Sequence, residues 1–159
     1  MSIDNDLYPL HVFRFEIEFE VDSLSSNGGS GPVEICSGAF AECTGLEATM
    51  EPKVIKEGGR NYGAVQRAGP VTFATVILKR GMTTTRHLWR WFEAVNKNGG
   101  YAHRLAVKVT MKNSADETVI RWQLEKAMPI KFKAADLNAR GTEIGIEELH
   151  LAHEGLSLI

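Results

Sequence analysis

The sequence has little of what marks several common classes of protein. Only two of its 159 residues are cysteines, Cys36 and Cys43, which excludes a framework of several disulfides. The formal net charge is −2 and no long run of one sign occurs, so the charge pattern predicts neither specific nucleic-acid binding nor an electrostatic tail. No stretch approaches the roughly 18 apolar residues that a membrane-spanning helix requires.

The N-terminus lacks the features of an export signal. It begins MSIDNDLYPL, which is acidic and has no apolar segment after a basic start, and this argues against a cleaved secretory signal peptide. We therefore expect the chain to fold in a cytoplasm and to have no membrane anchor. A reducing compartment favours free buried thiols at Cys36 and Cys43, although the two cysteines could also pair.

Motifs that carry chemistry are missing as well. No serine lies in a Gly-x-Ser-x-Gly elbow, and the glycine-rich loop at 22–32 is not followed by the Gly-Lys-Ser/Thr of a phosphate-binding loop. His150 and His153 are three positions apart, which in a strand directs their imidazoles to opposite faces. The sequence therefore predicts no enzyme, no cofactor and no metal site.

What the sequence does contain is alternation. Apolar residues alternate with charged ones over 13–21, which is typical of a strand with one face on a core. Its charged face is either solvated or the lining of an aqueous channel. Alternation over 104–112 and 119–126, around a turn at 113–116, predicts a hairpin. Residues 128–133 are predicted to be extended, with Pro129 at an edge or a bend.

Two further elements complete the predicted domain. A closing strand is predicted from Ile144, Ile146, Leu149 and Leu151, with a bulge between Ile146 and Leu149 where the phase slips. One helix is predicted over about 84–97. Its apolar face consists of Leu88, Trp91, Phe92 and Val95. Trp89 lies off this face and covers either a second patch or a partner.

A long hairpin is predicted over residues 46–78. Its tip at 57–63 contains three glycines and an asparagine, which allow the positive φ angles of a sharp reversal. An isolated ribbon is marginal in water, so we expect it to lie on its own domain or on another chain. Its last segment, 71–78, is predicted to be one strand with two apolar faces, covered by the chain's own helix and by a neighbouring subunit.

These elements predict one mainly β domain over 1–159. Antiparallel hairpins dominate, and we expect two antiparallel sheets packed as a β-barrel or sandwich, with one flanking helix and a projecting hairpin.

Three stretches carry a resemblance to a known family. They are FAECTGLE at 40–47, GPVTF at 69–73 continuing to LKRG at 78–81, and the ending from DLNARG at 136–141 to EELHLAHEGL at 147–156. The sequence resembles the tail tube proteins of contractile phages and of phage-tail-like contractile injection systems. The resemblance covers nearly the whole chain and is poorest over 23–32.

The resemblance implies a fold like that of the type VI secretion tube component. It implies hexameric rings that stack into a hollow inner tube, which sheath contraction propels through a target envelope. The implied partners are sheath, baseplate or tube-initiator and terminator proteins, with effectors as possible cargo. The particle would be assembled in a bacterial cytoplasm, as a virion tail or an injection device. A tube-initiator ring at the baseplate and a small-molecule-binding β-barrel are the alternatives.

The resemblance also implies that the hairpin, at about 47–66, contributes to contacts between rings. The contact candidates are Met50, Lys53, Val54, Lys56, Arg60, Asn61, Tyr62, Val65 and Trp89. A tube would direct a polar strand face to its lumen, so that cargo is not held by apolar contacts. Two faces qualify, and the sequence does not choose between them. Their residues are Arg14, Glu16, Glu18, Glu20, Arg104, Lys108 and Lys112.

Overall fold

The computed structural model describes residues 14–21, 40–84, 87–97 and 104–159. These residues form eleven strands and one helix, which confirms the mainly β class. The elements are β1 (Phe15–Val21), β2 (Glu42–Thr44), β3 (Ala48–Met50), β4 (Lys53–Ile55), β5 (Val65–Arg67), β6 (Val71–Phe73), β7 (Val76–Gly81), α1 (His87–Lys97), β8 (Leu105–Lys112), β9 (Thr118–Lys133), β10 (Ile146–Ala152) and β11 (Gly155–Leu158). Predictions on the loop at 22–32 and on Cys36 lie outside the described residues.

Two antiparallel sheets share the long strand β9. Its first part pairs with β8 and β11, and β8 pairs with β1; these strands are the first sheet. Its last part pairs with β10, which is followed by β7 and β2; these strands are the second sheet. Lys126 has a φ of 49° where β9 passes from one sheet to the other. Pro129 lies three residues after Lys126, in agreement with the prediction that this proline marks an edge or a bend.

The core lies between the two sheets and is closed on one side by α1. The predicted alternation of β8 is confirmed, since Leu105, Val107 and Val109 are buried. Leu88 and Trp91 of α1 are buried as well. The Trp91 ring meets the Phe19 ring edge-on, with 5.5 Å between centroids, so the predicted apolar face of the helix is the one that contacts the core.

The closing strand lies where it was predicted, but the prediction of which of its residues are buried is wrong at its start. Glu147, rather than Ile146, is buried together with Leu149 and Leu151. Pairing of β10 with β7 is unbroken from Ile146 to Leu151, so no bulge separates Ile146 from Leu149. The irregularity lies against β9, between His150 and Leu151. The reason is that a paired carboxylate occupies a core position, which a hydrophobic pattern assigns to an apolar residue.

The prediction of one doubly apolar strand over 71–78 is wrong. The strand is interrupted at Ala74 and Thr75, between β6 and β7, where the chain passes from the hairpin into the second sheet. Gly45 packs against this break with a φ of +90°, and a Cβ there would lie 2.1 Å from the Thr75 carbonyl oxygen. The two halves have different surroundings, since Val71 is half-exposed and Val76 is fully buried.

The predicted hairpin is formed by β3–β6 and β4–β5 pairing. At its tip the Arg60 amide donates to the Glu57 carbonyl over 3.3 Å, and Gly59 has a φ of 84°. Further back, the two arms approach so closely that a Cβ on Gly69 would lie 1.8 Å from the Glu51 carbonyl oxygen. Nearly every side chain of the hairpin is exposed, so its own domain does not cover it.

Candidate assembly surfaces

The projecting hairpin brings together all but one of the predicted contact residues. Met50 lies in β3, Lys53 and Val54 in β4, Val65 in β5, and Lys56, Arg60, Asn61 and Tyr62 in the tip between them. Apolar side chains on it face solvent, with 56% of Val54 and 94% of Tyr62 exposed. Between 53 and 67 the hairpin has four basic residues and one acidic residue. It is therefore both apolar and basic at its outer end.

Trp89 is the predicted contact residue that does not lie on the hairpin. Its ring packs against Phe132 of β9, with 5.5 Å between centroids, and stacks on Phe92 at 5.7 Å. It therefore covers a second patch of its own chain, which was one of the two alternatives. The other alternative, contact with a partner, stays a prediction, and Trp89 is still 46% exposed.

The two polar strand faces turn out to be one surface. β1 and β8 are adjacent and antiparallel, with Glu18 opposite Lys108 and Glu16 opposite Thr110. We call this surface of the first sheet the polar face. It consists of Glu16, Glu18, Glu20, Lys108, Thr110, Lys112, Arg121 and Gln123. The sequence reasoning did not assign Arg121 and Gln123, although their alternation with Ile120, Trp122 and Leu124 was a signal for them.

Two lysines of the polar face form ion pairs with glutamates and are less exposed than those glutamates. Lys108 Nζ lies 3.0 Å from Glu20 Oε1, and Lys112 Nζ lies 2.8 Å from Glu16 Oε1. The lysine side chains are 22% and 18% exposed, whereas those of Glu20 and Glu16 are 35% and 56% exposed. The hydrogen bond to Glu16 raises the pKa of Lys112. In both ion pairs the glutamate side chain is therefore more exposed than the lysine side chain that it pairs with.

The two arginines predicted for this surface lie at its borders. Arg14 Nη1 is 3.4 Å from Asp116 Oδ1 in the β8–β9 turn. Arg104, just before β8, donates to Glu154 Oε1, and Lys126 Nζ is 3.5 Å from Glu154 Oε2. The Arg104 hydrogen bond lowers the pKa of Glu154. Both arginines contact their own chain.

A cleft opens where β7 ends, beside α1. Arg80 of β7 and Glu147 of β10 form an ion pair at its base, with 2% and 5% of each residue exposed. The cleft has a volume of about 460 Å³. It is lined by Arg80, Met82, Thr83, Thr84, Leu88, Trp89, Phe132, Ala134 and Glu147. Sequence reasoning missed it, because its walls come from four segments that only the fold brings together.

The histidines and the described cysteine make separate contacts. His150 Nε2 lies 3.3 Å from Glu148 Oε2, and this hydrogen bond lowers the pKa of Glu148. His153 Nδ1 lies 3.0 Å from the Gly155 carbonyl oxygen. Burial raises the pKa of Cys43 to about 11, so its thiol is not a thiolate near neutral pH. Among the described residues, no three metal-binding side chains are grouped.

None of the helical sequence in the described part of the chain has the length and hydrophobicity of a membrane-spanning segment.

A sequence model of the T4-like virus tail tube protein gp19 matches residues 11–157. The chain belongs to this tail tube family. The family resemblance is therefore confirmed, and so is the prediction of a structural protein rather than an enzyme. A comparison of this tail tube protein with curated proteins gives no match.

Solved structures similar to this tail tube protein share its fold. A chain in the cryo-EM structure of the anti-feeding prophage (AFP) baseplate is 23% identical, with a TM-score of 0.77 and 96% of each chain covered. A chain in the AFP tube terminating cap is 18% identical (TM-score 0.75), covering 100% of this chain and 99% of that one. A chain in the sheath-tube complex of PVC, an extracellular contractile injection system, is 18% identical (TM-score 0.74), covering 96% and 93%.

Proposed function

We propose that this tail tube protein is the structural subunit of the inner tube of a phage tail or contractile injection particle. Hexameric rings of it stack into a hollow tube, which sheath contraction drives through a target envelope. The observation that carries the proposal is the projecting hairpin, whose apolar side chains are exposed in the single chain. Exposed apolar patches of this kind typically mark interaction sites.

Closure of a ring is supported by the edges of the first sheet. Its outer strands are β1 and β11, and in the described part of the chain neither pairs with a strand beyond it. Exposed strand edges pair readily with other chains. A lateral contact whose rotation closes gives a ring, and an axial contact that does not close gives a filament. The polar face would then line the lumen and present carboxylates to cargo.

The partners follow from the same proposal. Sheath, baseplate and terminator proteins would contact the tube, and effectors would travel in its lumen. The AFP baseplate and cap and the PVC sheath-tube complex contain chains of the same fold, which supports this set of partners. Assembly would take place in a bacterial cytoplasm.

A ring at the baseplate is the second candidate function, because one of the similar chains lies in the AFP baseplate structure. The small-molecule-binding barrel has no such support. The space between the sheets is filled by buried side chains, including Leu78, Leu124 and Leu149.

Electron microscopy of the purified protein over a range of concentrations tests the proposal. We expect rings at low concentration and tubes at high concentration or when a baseplate component is added. Light scattering in parallel measures the mass of the assemblies. A strictly monomeric protein at high concentration, even in the presence of its neighbouring components, would contradict the proposal.

A further inference from the structure

We propose that Tyr62 at the hairpin tip of one copy inserts into the cleft beside α1 of the next copy along the tube. The inference rests on the proposed function, because it requires copies that stack axially. It names the surface that receives the hairpin and the side chain that anchors it.

The hairpin and the cleft lie at opposite ends of one strand. The hairpin joins β7 at Val76, whereas Arg80 and Met82 of the cleft lie at the other end of β7. A molecule with a projection at one end and a recess at the other can repeat head to tail. Such a contact produces a filament when its rotation does not close into a ring.

The chemistry of the cleft suits a tyrosine. Its walls are formed by Met82, Leu88, Trp89 and Phe132, and the Arg80–Glu147 ion pair forms its base. Tyrosine combines an aromatic body with a hydroxyl that seeks a polar partner. The volume of about 460 Å³ lies within the range of about 300–1,000 Å³ that holds compact ligands. It therefore has room for the ring and part of the tip.

The surroundings of the cleft complement the hairpin in polarity. Met82, Ile144 and Ile146 are 49%, 80% and 43% exposed, and the Met82 amide donates to the Gly145 carbonyl over 2.8 Å, which keeps them together. These side chains offer apolar surface to the exposed Val54. Residues 134–146 contain two acidic residues and one basic residue, opposite in balance to residues 53–67 of the hairpin, which have four basic residues and one acidic residue. Complementary charge of this kind fixes the register of a contact.

Cross-linking between two populations tests the contact. Both carry Cys36→Ser and Cys43→Ala; one also carries Asn61→Cys, next to Tyr62, and the other Ala134→Cys, in the cleft. The populations are mixed, assembled and treated with a short bis-maleimide. We expect a covalent dimer from the mixture, and only when tubes are present. The matched control replaces Ala134→Cys by Ser114→Cys in the β8–β9 turn, which lies at the other end of β9.

The outcomes separate the two proposals. Tubes that give no dimer through position 134, or as much through position 114, would overturn the Tyr62 contact and leave the tube function standing. If the unsubstituted protein gives neither rings nor tubes under any condition, the proposed function fails and the contact fails with it.

Substitution of Tyr62 gives an independent readout. We expect Tyr62→Ala to raise the protein concentration at which tubes appear by at least about tenfold, the effect of losing one interface anchor. Tyr62→Phe should have a smaller effect, since it loses only the hydroxyl. Neither change should alter the melting temperature of the isolated chain, because Tyr62 is 94% exposed. Tyr62→Ala chains that form tubes at the original concentration would overturn the inference.

Filling the cleft should reproduce the defect from the receiving side. Ala134→Trp places a ring where the tip would enter and should also raise the concentration for tube formation about tenfold. Combined with Tyr62→Ala it should add little, because two changes at one contact are not additive. An Ala134→Trp protein with an unchanged melting temperature and normal tube formation would contradict the inference.

Discussion

At the scale of single residues, the Arg80–Glu147 ion pair is the feature that sequence reasoning misjudged. The pair lies in the core, with the Arg80 guanidinium carbon 5.9 Å from the Phe40 ring centroid. Alternation along β10 could not reveal it, because a carboxylate in the sequence is normally evidence for an exposed position. Its partner is 67 positions away in sequence, and only the β7–β10 register brings the two side chains together.

Removal of one member of this ion pair should be costly. We expect Glu147→Ala to lower the free energy of unfolding by about 3–5 kcal/mol, because it leaves the buried guanidinium without its carboxylate. The double variant Arg80→Met with Glu147→Leu should recover most of the loss. Urea denaturation of the three proteins measures both quantities. A Glu147→Ala loss below about 1 kcal/mol, as for an exposed ion pair, would contradict this view.

Glu154 should make stability depend on acid pH. Its folded-state pKa is lowered from 4.5 by the hydrogen bond from Arg104, so the folded state binds a proton less readily than the unfolded state. The resulting stabilisation is complete above the ordinary pKa and is lost as the pH falls through the lowered one.

Glu154→Gln removes this contribution, so its melting temperature should fall below that of the original protein near neutral pH and converge with it in acid. Glu18→Gln serves as the control for loss of an exposed carboxylate. A difference in melting temperature between the original protein and Glu154→Gln that stays the same from neutral pH down to about pH 2 would contradict the prediction.

At the scale of elements, local periodicity was sufficient where neighbours in sequence are also neighbours in space. The β8–β9 hairpin, α1 and the projecting hairpin were all predicted, because the turn residues and the periodicity that indicate each of them lie within a single segment. The interruption at Ala74 and Thr75 was not, since the run from Val71 to Leu78 has apolar residues on both faces and no glycine, proline or charged residue. At this point the backbone of Thr75 is closely approached by Gly45, which lies in a different segment.

The hairpin should be dispensable for folding and essential for stacking. Val54→Pro, or deletion of 58–63, changes a part of the chain that its own domain does not cover, so the melting temperature of the monomer should stay within a few degrees. Tubes should be absent from electron micrographs of both variants. Gly58→Ala is the matched control, since a Cβ there meets nothing within 4 Å. An equal loss of monomer stability would mean that the hairpin belongs to the core.

At the scale of the whole molecule, the structure shows that the two polar strand faces, which the sequence left as alternatives, form one surface. Two polar strands were candidates for the lumen, and their alternation could not show whether they were adjacent. Pairing of β1 with β8 makes them one surface, with the second sheet on the opposite side of the core. The sequence predicted the class of fold and the hairpin, but it could not predict the cleft, which depends on how α1 sits against β7 and β9.

Gold labelling can show which surface faces the lumen. In a chain with Cys36→Ser and Cys43→Ala, Glu18→Cys places a label on the polar face. Glu42→Cys places one on the outer side of the second sheet, where Glu42 pairs opposite Lys79. Class averages of tubes viewed end-on should show gold inside the wall for Glu18→Cys and outside it for Glu42→Cys. The reverse arrangement would rule out the polar face as the lining.

The 16 residues of β9 run through both sheets without interruption. A force applied to the second sheet therefore reaches the first through covalent backbone, and the side-chain packing between the layers is spared. The antiparallel ladders of β9 with β8, β11 and β10 would share such a load in shear, with several hydrogen bonds resisting together. If the proposed function is correct, β9 would make the two sheets of each subunit move as one body when the tube is driven through an envelope.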